Sequence, residues 1–182
     1  FGPILKKLIK FHPKMARVIL DPKHKDIKAW EYGQLLSQTT FKKGMNVLDL
    51  GSGSSALPLY LANMGFKITA FDLEDPIEKP LLSNHRNLTY QHGTMEGLPF
   101  KDSTFDMVLC ISAIEHLDYI LATGQKLLYP DFIRKTKKTL SEMVRVLKSK
   151  GRLFLTTDIY YPKLQTTDRY SQISKLEGIS SV

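Results

Sequence analysis

Cysteine and tryptophan each occur once among the 182 residues, as Cys110 and Trp30. A lone cysteine excludes an internal disulfide and fits a reducing, cytoplasmic compartment. It stands inside an apolar run, where a thiol packs as a small hydrophobe rather than acting as a nucleophile. No apolar run approaches the roughly 18 residues of a membrane-crossing helix, and no signal-peptide pattern opens the chain. The chain begins on Phe1, which predicts a start that lies upstream or has been trimmed. Internal repeats and low-complexity stretches are absent, and no metal is expected.

The length suits one domain with a proper core, and the hydrophobic fraction of 42% is ordinary for a globular protein. The net charge of +8 is unevenly spread. Lys6, Lys7, Lys10, Lys14 and Arg17 crowd the start, and Arg134, Lys135, Lys137, Lys138, Arg145, Lys148, Lys150 and Arg152 crowd a later segment. Such clusters attract nucleic acid or anionic lipid, but as plain solvated helix faces they need no partner. No stretch resembles a nucleic-acid module.

Residues Phe1 to Leu20 read as one or two short basic helices broken at Pro13. The spacing of Ile27, Trp30, Leu35 and Leu36 predicts a helix from Asp26 to Thr40, with Asp26 as its cap. Strands are expected at Val47–Leu50, Phe66–Phe71, Leu88–Gln91, Phe105–Ile111 and Arg152–Thr157. A helix from Ser54 to Asn63 tolerates Pro58 only in its first turn. The stretch Asp75–Asn87 contains Pro76 and Pro80, so its helix is short or irregular. A long helix is expected from Asp131 to Leu147, followed by a turn at Lys148–Gly151. Strands alternating with helices imply a parallel α/β sheet with right-handed crossovers.

Met45 to Ser55, M-N-V-L-D-L-G-S-G-S-S, organises the rest: strand, glycine turn, helix. Gly51 and Gly53 let the backbone approach a ligand where the helix start offers unpaired N–H groups. The second strand ends on Asp72, 21 positions after Gly51, the spacing at which such folds set a carboxylate against a ribose. The turn also fits the loose dinucleotide pattern G-x-G-x-x-A. Asp49 argues against that cofactor, because a buried carboxylate beside the turn repels a pyrophosphate and favours a positively charged group.

Five segments, V-L-D-L-G-S-G, F-D-L, G-T-M-E-G-L-P-F-K-D-S-T-F-D-M-V, I-E-H-L and E-M-V-R-V-L-K-S-K-G-R-L, follow one another in order. Together they resemble the signatures of class I S-adenosylmethionine-dependent methyltransferases, in particular the type-11 methyltransferase domain, over about Asn46 to Thr157. The resemblance implies a Rossmann-like parallel sheet of strand order 3-2-1-4-5 with helices on both faces. It implies an N-terminal helical cap over residues 1–41, a cofactor-binding core over 42–158 and a tail over 159–182. With only 25 residues from Asp158 to Val182, the usual C-terminal antiparallel strands are expected to be missing or truncated.

By the same resemblance, Asp49, Gly51, Ser52 and Gly53 hold the methionine part of S-adenosyl-L-methionine. Asp72 takes the ribose, Leu73 flanks the adenine, and Thr94 and Met95 border it. The family often has an acid where Thr94 stands, while Met95 can offer its backbone N–H whatever its side chain. Ile111 and Ser112 line the cofactor at the mouth of strand four, and His116 is the candidate catalytic base. Trp30, Tyr32, Tyr160 and Tyr161 are candidate walls for the substrate. The sulfonium already activates its methyl, so a base is needed only if the acceptor must lose a proton. The expected activity is methyl transfer to a small molecule, with S-adenosyl-L-homocysteine as product. The alternatives are an RNA or protein methyltransferase using the basic faces, and a non-catalytic cofactor-binding partner subunit. Where amino-methylating nucleic-acid enzymes carry an Asn- or Asp-Pro-Pro motif, this chain has I-S-A-I. Cys110 follows Leu109 rather than the proline of a cytosine C5 enzyme.

Overall fold

A computed structural model describes residues 25–39, 42–74, 85–120, 125–126 and 129–157. The basic segment Phe1–Leu20, most of Asp75–Asn87, and Tyr160 and Tyr161 lie outside the described residues. Helix α1 spans Lys25–Gln38, followed by strand β1 (Asn46–Leu50), helix α2 (Leu57–Asn63), β2 (Lys67–Asp72), β3 (Leu88–His92) and β4 (Phe105–Ile111). A 3-10 turn (Ile114–Asp118) then leads through the short pair β5 (Tyr119–Ile120) and β6 (Gln125–Lys126) to α3 (Tyr129–Val146) and β7 (Leu147–Thr156).

The five long strands form one parallel sheet in the order β3-β2-β1-β4-β7, and β5 and β6 pair antiparallel beside it. The chain therefore reverses direction across the sheet between β1 and β4, the place where α/β sheets open a crevice at their carboxyl ends. β4 is buried along almost all its length, as its apolar run from Met107 to Ile111 predicts for a strand covered on both faces.

Side chains alternate across each strand and so divide the core in two. Val47, Met107, Leu109 and Ile111 pack with Tyr32 and Leu35 of α1 and Leu57 and Leu61 of α2. Leu48, Leu50, Val108 and Cys110 pack on the opposite face with Met143 and Val146 of α3. Cys110 is fully buried there, and burial pushes its thiol up to about 12, which keeps it un-ionised.

Two points of local structure are decided by the fold. Ile27 and Trp30, two of the apolar residues whose spacing predicted α1, are 54% and 61% exposed. The helix turns Glu31, Tyr32 and Leu35 inward instead. Lys148–Gly151 keeps the expected turn, as an unpaired excursion within β7. Its register against β4 shifts between the pairs Phe105–Leu147 and Met107–Arg152, and Lys150 takes a left-handed φ of 65°.

Several cations of the basic cluster are structural. Arg145 grips Glu142 through Nε and Nη2, both at 2.7 Å, and donates to Asp102 at 2.8 Å. It also donates to the carbonyls of Leu98 and Phe100 at 3.0 and 2.7 Å, while Glu142 accepts the N–H of Leu98 at 2.8 Å. Lys148 pairs with Asp106 at 2.8 Å, and Asp106 accepts the N–H of Asn46 at the start of β1. The hydrogen bonds from Arg145, helped by the Leu98 amide, hold the Glu142 carboxyl down from 4.5 to about 2.

Because that carboxyl is depressed in the folded state, its stabilisation is present above pH 4.5 and is lost as pH falls toward 2. Arg145→Met should destabilise the chain by about 2 kcal/mol at pH 7, the scale of hydrogen bonds to charged groups. It should also flatten the acid limb of a stability–pH curve between pH 4.5 and 2. Chemical denaturation across that range measures both.

Candidate functional site

The carboxyl ends of β1, β2 and β4 meet at a cavity of about 640 Å³, inside the range of roughly 300–1,000 Å³ typical of small-ligand sites. Its floor is the turn after β1. Gly51 and Gly53 have φ of 78° and 48°, and the N–H of Gly51 is pinned to the carbonyl of Phe71 at 2.8 Å. A Cβ on Gly51 would collide with Ala113 and lie 2.7 Å from Met95 Cε, whereas one on Gly53 would meet open space. Ser52 lines the cavity with a buried hydroxyl that has no protein partner.

Asp49 stands on the α1 side of β1, one pleat from Val47, and is 3% exposed. Burial raises its carboxyl to about 7, with Lys28 pulling it down and Asp72 pushing it up. Asp72 closes β2. One of its oxygens accepts the N–H of Gly53 at 2.7 Å, and the other accepts those of Leu73 at 2.7 Å and Glu74 at 3.3 Å. A carboxylate offers about four lone-pair positions, so one remains for a ligand. Leu73, Thr94 and Met95 line the cavity beside it.

At the other end, Ile111 and Ser112 form the lip of β4. Ser112 has a φ of 46°, an uncommon conformation for a residue with a Cβ. It is held there by its N–H on Thr156 (3.1 Å to the carbonyl) and its hydroxyl on Glu31 Oε1 (2.5 Å). His116 lines the rim from the 3-10 turn and is exposed.

α1 crosses this mouth with one face. Glu31, 2% exposed, accepts from Ser112 and also from the Thr156 hydroxyl, at 2.5 Å. Lys28 lies 3.1 Å from Glu31 Oε2 and donates to the Ile111 carbonyl at 3.4 Å. The Tyr32 hydroxyl meets Ser55 Oγ at 2.9 Å. Burial raises the Tyr32 phenol to about 12, against the Ser55 bond and helped by the Asp49 and Glu31 carboxylates, so it stays neutral.

The sequence-predicted residues Asp49, Gly51, Ser52, Gly53, Asp72, Leu73, Thr94, Met95, Ile111, Ser112, His116 and Tyr32 thus share one cavity. Trp30 is not brought to it. Trp30 lies two residues from both Lys28 and Tyr32, which puts it about 200° around the helix from each. Sequence reasoning missed Lys28, Glu31, Glu96, Lys135 and Thr156. Lys135, 3.3 Å from Glu96, lines the cavity as part of an ion pair rather than as solvated surface. Nothing local marks Lys28 and Glu31, because a polar pair at i, i+3 on a helix ordinarily faces water.

The profile of a family described as "Methyltransferase domain" matches residues 48–155. An uncharacterized protein of Methanocaldococcus jannaschii is 32% identical over 125 residues, covering 69% of this chain and 46% of that protein. A ubiquinone biosynthesis O-methyltransferase of Rickettsia typhi is 32% identical over 80 residues, covering 42% of this chain and 32% of its own length. Among solved structures, a putative methyltransferase in complex with the Haloferax volcanii Trm112 methyltransferase activator superposes with a TM-score of 0.57 at 22% identity. That match covers 88% of this chain and 66% of the other. The chain spans about half the length, or less, of the curated relatives it matches.

The raised Asp49 carboxyl fixes a sign for stability. Between about pH 4 and 7 the unfolded chain ionises this group while the folded chain keeps its proton, so folding loses stability as pH rises. Asp49→Asn removes that loss. Its stability relative to the parent should be near zero at pH 4 and rise by about 1–4 kcal/mol by pH 8. Thermal melts at pH 4, 6 and 8 read the difference, and parallel curves for the two proteins would remove Asp49 as a buried acid.

Proposed function

We propose, for a chain that belongs to the class I S-adenosylmethionine-dependent methyltransferases, that it binds S-adenosyl-L-methionine in the β1–β2–β4 cavity and methylates a small-molecule acceptor. The observation that carries the reading is the buried Asp49 carboxylate beside the glycine turn. An acid so placed disfavours a pyrophosphate and favours a ligand end that brings positive charge. The unpartnered Ser52 hydroxyl and the open space at Gly53 fit a bound group on that side.

In this reading Asp49, Gly51, Ser52 and Gly53 hold the amino-acid end of the cofactor. Asp72 uses its remaining lone pair on a ribose hydroxyl, with Leu73, Thr94 and Met95 around the adenine and Ile111 and Ser112 along the middle. When bound, the cofactor supplies a methyl already activated by its sulfonium. The protein's part is to align an acceptor and keep water out. His116, on the exposed rim, is the residue suited to take a proton from a hydroxyl or amine acceptor.

A small acceptor is supported by the size of the cavity and by the Rickettsia relative, whose name assigns it to ubiquinone biosynthesis. Four of the eight cations crowded between Arg134 and Arg152 face carboxylates within 4.0 Å: Arg134, Lys135, Arg145 and Lys148. That pairing weakens the case for a phosphate-tracking RNA surface. The Haloferax neighbour, which is bound to an activator, motivates a test of partner dependence alongside activity.

The chain should bind S-adenosyl-L-methionine or S-adenosyl-L-homocysteine in calorimetry and show no measurable affinity for NAD. Asp72→Ala should weaken that binding about tenfold or more, since a charge-assisted hydrogen bond is worth roughly 1.5–3 kcal/mol. Tight NAD binding would overturn the reading, and unchanged affinity in the variant would remove Asp72 from the site.

Once labelled cofactor has identified an acceptor, His116→Ala should lower the rate about 10²–10⁴-fold at unchanged cofactor affinity. A full-rate variant with a lowered melting temperature would instead make His116 a structural residue of the 3-10 turn.

A further inference from the structure

The inward face of α1 carries charge where an ordinary packed helix carries only apolar side chains. Lys28, Glu31 and Tyr32 reach three separate parts of the cavity mouth: the Ile111 carbonyl, the Ser112–Thr156 hydroxyl pair, and Ser55. Glu31 is 2% exposed and is held by both hydroxyls, so its position is set by two strand ends at once. Its second oxygen fixes the Lys28 ammonium at 3.1 Å. Lys28 itself lines the cavity and is 30% exposed at its side chain. An ammonium has three donors: the Ile111 carbonyl takes one, and the contact with Glu31 is an ion pair that leaves Glu31 Oε2 without a hydrogen bond.

The amino-acid end of the proposed cofactor is a zwitterion. Its ammonium has an acidic partner in Asp49, but its carboxylate needs a cation or donors of its own in a place shielded from water. Lys135, the other lysine in the lining, is paired to Glu96, next to Thr94 and Met95 and therefore toward the adenine side. The first amide of α2, that of Leu57, is already taken by Ser55 Oγ at 3.1 Å. We propose that Lys28 binds the carboxylate of the cofactor's amino-acid end, and that Glu31 is the positioning residue that holds Lys28 there. This assigns α1, a helix outside the matched residues 48–155, a direct part in cofactor recognition. The inference rests on the cofactor reading above.

The test compares two ligands on the whole chain by calorimetry. S-adenosyl-L-homocysteine carries the amino-acid end, and 5′-methylthioadenosine lacks it. Lys28→Met should weaken S-adenosyl-L-homocysteine about ten- to a hundredfold, the effect of losing a charge-assisted hydrogen bond. Binding of 5′-methylthioadenosine should stay within about twofold of the parent. Lys28→Arg, which keeps the charge, should recover most of the lost affinity. Since Lys28→Met strands the buried Glu31 charge, the double variant Lys28→Met/Glu31→Gln provides a chain without that imbalance, and the same selectivity should appear in it. Unchanged S-adenosyl-L-homocysteine affinity, or an equal loss for both ligands in both variants, would overturn the proposal while leaving the cofactor reading intact. A parent chain that binds neither compound would overturn the cofactor reading itself.

Discussion

Asp49 lies at the carboxyl end of the central strand with its side chain 3% exposed, and ionising it there works against the fold. Burial sets its charge state first, and two neighbours modify it: Lys28 from α1 favours the carboxylate and Asp72 from β2 opposes it. The architecture around the cavity follows from accommodating this acid. β1 must be central so that the group is shielded on both sides, the turn after it must bend at once, and a helix must bring a cation over the mouth. A group that costs stability when it ionises is retained where charge matters to a ligand.

Four of the five family segments divide into two physical roles. V-L-D-L-G-S-G and F-D-L build the cavity floor, with Asp72 accepting the Gly53 amide and so joining strand end to turn. The segment ending F-D-M-V and the segment E-M-V-R-V-L serve mostly as scaffold. Arg145 and Glu142 bind Leu98, Phe100 and Asp102, and Lys148 binds Asp106, which in turn holds Asn46. Phe100 packs edge-on between Phe71 and Phe105, with ring centroids 5.7 and 5.0 Å away. This wiring ties α3 to the sheet that carries the cavity. Residues that share a recognisable pattern therefore need not share a function.

Most of the strands and the glycine turn were legible along the chain. An apolar run such as Met107–Ile111, bounded by turns and set between helical stretches, fits a strand of a parallel sheet buried on both faces. The paired glycines mark a turn whose left-handed backbone other residues rarely adopt, and at Gly51 a side chain would also collide with Ala113. The orientation of α1 was not legible. Ile27 and Trp30 have the apolar character of an inner face, yet the helix turns Lys28, Glu31 and Tyr32 inward, because buried partners for their polar groups exist on strands far away in sequence. The basic cluster was misleading in the same way, since Asp102, Asp106 and Glu96 become partners only after folding.

The sequence by itself determined the strands, the glycine turn and the acids at the ends of β1 and β2, because these are read from residues a few positions apart. Only the tertiary structure decided that Glu31 meets Ser112 and Thr156, 81 and 125 residues away, and that Lys28 comes to the Ile111 carbonyl across 83. Hydrogen bonds over such separations leave no periodic trace in a chain. They exist only once the sheet has brought the ends of β4 and β7 under the helix.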